Sequence, residues 1–173
     1  MAHRHEPRHH GEPKGAEARD PRDLDGSFRH VIRIEVRFAD TDAMIHVNNA
    51  VYLTYCESAR IRYWVDVTGE PIGHGVEHPE SLILAEARIA YRAQVFHGEI
   101  VTVETRANHI GRSSFTLQHR LLAAPPDEAP HLVAVSESVL VRYDYRSAAP
   151  TPLSAEHIAA IETWEGRRLR EPA

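Results

Sequence analysis

RFADTDAMIHVNNAVYLTYCESAR, residues 37–60, sets Asp40, Asp42, His46, Asn48 and Asn49 against the start of a run with helical period. Groups of this kind are costly to bury unless they are paired or put to use. The elements on either side decide which. Upstream, HVIRIEVRF alternates: Ile32, Ile34, Val36 and Phe38 fall on one face, Arg33, Glu35 and Arg37 on the other. That is the pattern of a half-buried strand. Downstream, over residues 49–67, the period changes. Val51, Tyr55, Ser58 and Arg62 form one helical row and Tyr52, Cys56, Ala59 and Tyr63 another, with Leu53 and Trp64 beside them. So wide an arc predicts a helix covered on most sides. Asn48 or Asn49 can cap its start, and Gly69 stands where it should stop.

Four further strand-like runs follow. SLILAEARIAYRA places Ile83, Ala85, Ala87, Ile89 and Tyr91 on one face. GEIVTVETRANHI and SSFTLQHRLLA are joined by a tight turn around Gly111. HLVAVSESVLVRYDY follows the loop AAPPDEAP. Ser154 can then cap a short last helix whose stripe is Ile158, Ile161 and Trp164. Strand, long helix, four strands in hairpin succession, short helix: this order predicts an α+β fold with one curved, five-stranded antiparallel sheet. A single helix covers only one face of such a sheet, so the assembly is expected to exceed a monomer.

The composition agrees with one soluble domain. Of 173 residues, 42% are hydrophobic and 26% charged, enough for a single core. Residues 1–28 are rich in charge, Pro, Gly and His without apolar period, and are expected to be a disordered tail before a domain at 29–169. No apolar segment reads as a secretory signal or a membrane span. The lone Cys56 excludes an internal disulfide and fits a reducing, cytoplasmic setting. A net charge of −5 argues against a nucleic-acid partner.

Asp42, then His46, Val47, Asn48 and Asn49 after three intervening residues, then Tyr52, Glu57, Ala59 and Arg60, form a D-x3-H-V-N-N…E-x-A-R pattern between a strand and a long helix. This pattern resembles the hotdog-fold thioesterases of the 4-hydroxybenzoyl-CoA thioesterase and acyl-CoA thioesterase type, over about residues 30–145. The resemblance implies a sheet wrapped around the central helix and an acyl-CoA substrate. It also implies a homodimer or homotetramer with the active site at a subunit interface, and hydrolysis without a metal or redox cofactor. Asp42 would act as general base or as nucleophile. The N–H of Asn49 would polarise the thioester carbonyl at the positive end of the helix, with His46 as an accessory group. In the turn HIGRSSF, Arg112 with Ser113 and Ser114 would meet CoA phosphates.

Several of these residues also have plainer roles. Asp40 suits turn stabilisation, and Glu57 suits an ion pair with Arg60. Cys56 suits a small buried apolar position. His3, His5, His9 and His10 are spaced too loosely for a defined metal site. Met44 stands where the acyl-carrier-protein thioesterases carry an asparagine, and Ile45 where the family commonly has glycine. Two alternatives therefore accompany the acyl-CoA reading: an acyl-carrier-protein thioesterase, and a hotdog protein that binds without turnover.

Overall fold

The computed structural model describes residues 26–73, 79–125 and 128–170. The expected tail up to residue 25 lies outside the described residues. Phe28, at the end of that stretch, sits under the guanidinium groups of Arg106 and Arg120, 4.5 and 4.4 Å from its ring centre. Strand β1 (His30–Glu35) is followed by a 3₁₀ turn (Phe38–Asp40) and the long helix α1 (Asn49–Thr68). Then come β2 (Glu80–Tyr91), β3 (Ile100–Ile110), β4 (Ser114–Ala124), β5 (His131–Asp144), a two-residue β6 (Ala149–Pro150) and helix α2 (Ala155–Glu165).

All strand pairs are antiparallel, and the five long strands lie in the order β1-β3-β4-β5-β2. The sixth, β6, pairs with Tyr143 and Asp144 at the end of β5. One expectation changes here. Only β3, β4 and β5 follow one another as neighbours. β2 crosses to the far edge beside β5, while β1 takes the place next to β3. Antiparallel direction follows from short links, but which edge a strand joins depends on long-range packing that alternation does not encode.

The ends of α1 follow local rules. The Asn48 side chain accepts the Ala50 N–H, and Gly69 closes the helix in the left-handed conformation at φ 74°. Ser154 caps α2 as expected. The row Tyr52, Cys56, Ala59 and Tyr63 is buried throughout. In the other row only Tyr55 is; Ser58 and Arg62 are exposed, as are Leu53 and Ile61. The helix is thus covered on one side rather than on most. Phe38 also departs from its expected face. The strand ends at Glu35, the chain turns, and the ring is 80% exposed.

The core has two parts along α1. Near the helix start, Val36, Val47 and Val95 pack with Tyr52, Cys56 and Leu121. Near its end, Trp64 stacks on Phe115 at 5.6 Å, and Leu153, Ile161 and Leu169 close the layer from the α2 side. No helix among the described residues is long and apolar enough to cross a membrane.

Candidate active site

The loop between the 3₁₀ turn and α1 is stitched down on both sides. Thr41 pairs with Val47 and His46 with Phe96 as isolated antiparallel bridges. The Val47 N–H donates to the Val95 carbonyl at 2.8 Å, and the Asn48 N–H to the Asp40 carbonyl at 2.9 Å. Asp40 is the anchor of this arrangement. Its buried carboxylate accepts from the Arg37 guanidinium at 2.7 Å, from the Arg37 backbone N–H at 3.0 Å and from the Tyr55 hydroxyl at 3.0 Å. The hydrogen-bonded Arg37 guanidinium holds the Asp40 carboxyl below its ordinary range. Asp40 therefore has the stabilising role expected of it.

Asp42 opens a tight turn. Its carbonyl accepts the Ile45 N–H at 3.0 Å, its N–H donates to the His46 carbonyl at 3.1 Å, and Oδ1 accepts the Met44 N–H at 2.8 Å. Oδ2 has no partner among the described residues. The turn fixes the carboxylate with one oxygen and leaves the other open. His46 Nδ1 lies 3.2 Å from the Val47 carbonyl. A carbonyl only accepts, so Nδ1 carries a proton and Nε2 remains as the acceptor in the neutral ring.

At the helix start, Asn48 satisfies two of the first N–H groups. Its Oδ1 accepts from Ala50 and its carbonyl from Val51, both at 2.9 Å. The Asn49 N–H has no acceptor among the described residues. It is one of the orphan donors that every helix start carries, at the positive end of the helix dipole.

A cleft of about 410 Å³ gathers these groups: Asp42, His46 and Asn49 line it, with Met44, Val47 and Tyr52. Its opposite wall is Tyr91, Arg92, Ala93 and Gln94, at and just past the end of β2. The Tyr91 hydroxyl donates to the Asn49 carbonyl at 2.8 Å, and its ring meets Tyr52 edge-on at 5.2 Å. Burial pushes the Tyr52 phenol up to about 12, so it stays protonated, as a donor toward the Ala93 carbonyl. Sequence reasoning missed this wall. Tyr91 reads as one more apolar strand position, and only the crossing of β2 to the far edge brings it over the helix start.

Arg112, Ser113 and Ser114 are not in the cleft. They form the β3–β4 turn, where the Arg112 carbonyl accepts from Leu153 and the Ser113 carbonyl from Arg142. That turn lies by Phe115 and Trp64, toward the end of the 20-residue helix. The cleft is at the helix start, and the 15 residues from Asn49 to Trp64 put about 22 Å of helix between the two. Glu57 is exposed and pairs with Arg60 at 2.7 Å, as expected. Cys56 is fully buried, and burial pushes its thiol up to about 11, which keeps it from acting as a thiolate. Among the described residues no three His, Cys, Asp or Glu side chains are grouped to hold a metal ion. An open carboxylate oxygen, an imidazole acceptor and a free helix N–H in one cleft suit attack on a carbonyl whose oxygen becomes negative.

Residues 36–161 match the thioesterase-like superfamily. The solved structure of a thioesterase complexed with coenzyme A and zinc, from Thermus thermophilus, is 32% identical. The match covers 82% of this chain and 98% of that one, with a TM-score of 0.67. The PA2801 protein of Pseudomonas aeruginosa is 29% identical over 78% of this chain and 99% of its own, with a TM-score of 0.67. A curated relative, the uncharacterised protein YsmA of Bacillus subtilis (strain 168), is 28% identical over 94 residues. That match covers 54% of this chain and spans 60% of the relative's length.

Proposed function

The chain belongs to the thioesterase-like superfamily, and on that footing we propose that it hydrolyses acyl-CoA thioesters to a free acid and CoA, with Asp42 as the catalytic carboxylate. The observation that carries this reading is the meeting of the open Asp42 oxygen and the unpaired Asn49 N–H in one cleft. The coenzyme A bound to the Thermus thermophilus thioesterase supports CoA as the carrier.

A thioester carbonyl seated at the helix start would receive the Asn49 N–H on its oxygen. Either Asp42 takes a proton from a water that attacks the carbonyl carbon, or its carboxylate attacks and a water opens the resulting anhydride. In both routes the C–S bond breaks and CoA leaves as thiolate. The donated N–H would lower the barrier by roughly 3–4 kcal/mol, since the negative charge on oxygen develops only in the transition state. His46 Nε2 suits the orientation of that water. Tyr52, Tyr91, Met44 and Val47 form the apolar wall for the acyl group.

Arg112, Ser113 and Ser114 remain our proposed phosphate contacts, but across an assembly: the cleft of one copy with the turn of another. Two surfaces favour such an association. β2 is a 12-residue edge strand that exposes Leu84, and the uncovered side of α1 exposes Leu53 and Ile61. Long unpaired edges and exposed apolar residues are surfaces that proteins tend to cover. We place the enzyme in the cytoplasm, where its single buried thiol stays reduced.

One observation favours the binding-only alternative: the bond from Met44 to Asp42 Oδ1 is what a purely structural turn carboxylate makes. Thiol release from a panel of short, long and aromatic acyl-CoAs separates the two readings. We expect turnover by the wild type and a loss of at least ~100-fold in Asp42→Asn. A folded wild type inert on every acyl-CoA would overturn the enzymatic reading for this substrate class. Turnover that survives Asp42→Asn would move the chemistry off Asp42.

A further inference from the structure

Tyr91 occupies an unusual position for a residue on an edge strand. Its backbone ends the β2–β5 ladder opposite Ala134, yet its hydroxyl reaches 42 residues back to the first turn of α1 and donates to the Asn49 carbonyl at 2.8 Å. Its ring stands edge-on to Tyr52 and lines the cleft. Within the 40–51 segment three bonds hold this turn: Asn48 N–H to the Asp40 carbonyl, Val51 N–H to the Asn48 carbonyl, Ala50 N–H to Asn48 Oδ1. Those contacts tie the turn to its own loop. The Tyr91 hydroxyl ties its backbone to the opposite wall of the cleft at 2.8 Å, beside the longer side-chain bond from the Tyr52 hydroxyl to the Ala93 carbonyl at 3.4 Å.

The direction of the Asn49 N–H is set by the Asn48–Asn49 peptide plane, and this plane moves with the first turn. A first turn is the least constrained part of a helix, because its N–H groups have no partners within the helix. We infer that Tyr91 is a positioning residue for the reaction: its hydroxyl clamps the Asn49 carbonyl, in the peptide unit next to the one that carries the Asn49 N–H, and through the shared Asn49 Cα restrains the direction of that N–H toward the cleft. The inference rests on the proposed role of that N–H as the donor to the thioester oxygen. Tyr91 need not touch the reacting atoms to matter. Displacement of a donor by about 1 Å is enough to cost on the order of 10²-fold in rate. The ring is a separate matter. It forms part of the acyl wall, so its loss acts on substrate binding.

Tyr91→Phe keeps the ring and removes only the hydroxyl. On the acyl-CoA that the wild type turns over fastest, kcat should fall about tenfold or more while KM stays within about twofold. Amide hydrogen exchange over residues 48–51 should quicken. Tyr91→Leu, which also removes the ring, should raise KM in addition. A purely structural tyrosine would lower the thermal midpoint and leave kcat per folded enzyme near wild type, and that result overturns the inference. So does a Tyr91→Phe variant with faster exchange but unchanged kcat, or with unchanged exchange. A wild type inert on acyl-CoAs would strike the underlying functional reading instead, and the exchange measurement would still show whether the hydroxyl clamps the turn.

Discussion

At the scale of single residues, the turn at Asp42 carries a strain that its sequence makes visible. Ile45 sits at φ 69° with its side chain 76% exposed. A left-handed backbone costs an L-residue roughly 1–2 kcal/mol, and a β-branched one at the upper end. The glycine common at this place in the resembling family adopts that conformation freely. The departure noted in the sequence thus becomes an explained one: the turn keeps its shape and bears the cost. Ile45→Gly should raise stability by about 0.5–1 kcal/mol after the extra freedom of an unfolded glycine is subtracted. A urea titration monitored by circular dichroism reads this directly, and a lowered midpoint would contradict it. The D-x3-H-V-N-N spacing was enough to place Asp42, His46 and Asn49 together, because all three lie within one loop and its helix cap. It was not enough for Tyr91, Arg92 and Gln94, which come from another strand and the residues just past it.

At the scale of elements, the five long strands and both helices were legible from period and caps, since those signals are local. The crossing of β2 was not, and neither was the uncovered face of α1, which depends on what packs there. The polar interior of the sheet was equally hidden. His119 on β4 is fully buried, with Nδ1 3.0 Å from the Thr105 hydroxyl and Nε2 without a partner among the described residues. Burial, with the nearby charges of Arg60 and His30, pushes the imidazole down to about 3. The folded state therefore refuses a proton that the unfolded chain accepts near pH 6.5. Above that pH His119 costs nothing; as pH falls from about 6.5 toward 3, stability drains away. His30 and His157 are shifted down as well, by burial, and add to the same slope. His119→Leu should flatten the decline in unfolding free energy between about pH 6.5 and 5. A slope identical to that of the wild type would show that the ring already charges in the folded state.

At the scale of the whole molecule, the two halves of the proposed site are kept apart by a single chain. The cleft lies at the start of α1 and the Arg112 turn toward its end. The expectation of an assembly larger than a monomer came from a physical shortage: one helix against one sheet leaves apolar surface bare, and Leu53, Ile61 and Leu84 are indeed exposed. The geometry of such an assembly would be set by surface complementarity that no single chain's pattern records. A crystal structure with a non-hydrolysable ketone analogue of the best acyl-CoA substrate tests whether the thioester carbonyl sits at the start of α1. The ketone oxygen should lie about 2.7–3.1 Å from the Asn49 N, the acyl group against Tyr52 and Tyr91, and the CoA phosphates at the Arg112 turn of a second copy. A ketone bound away from the start of α1, with Asp42 and Asn49 untouched, would contradict it.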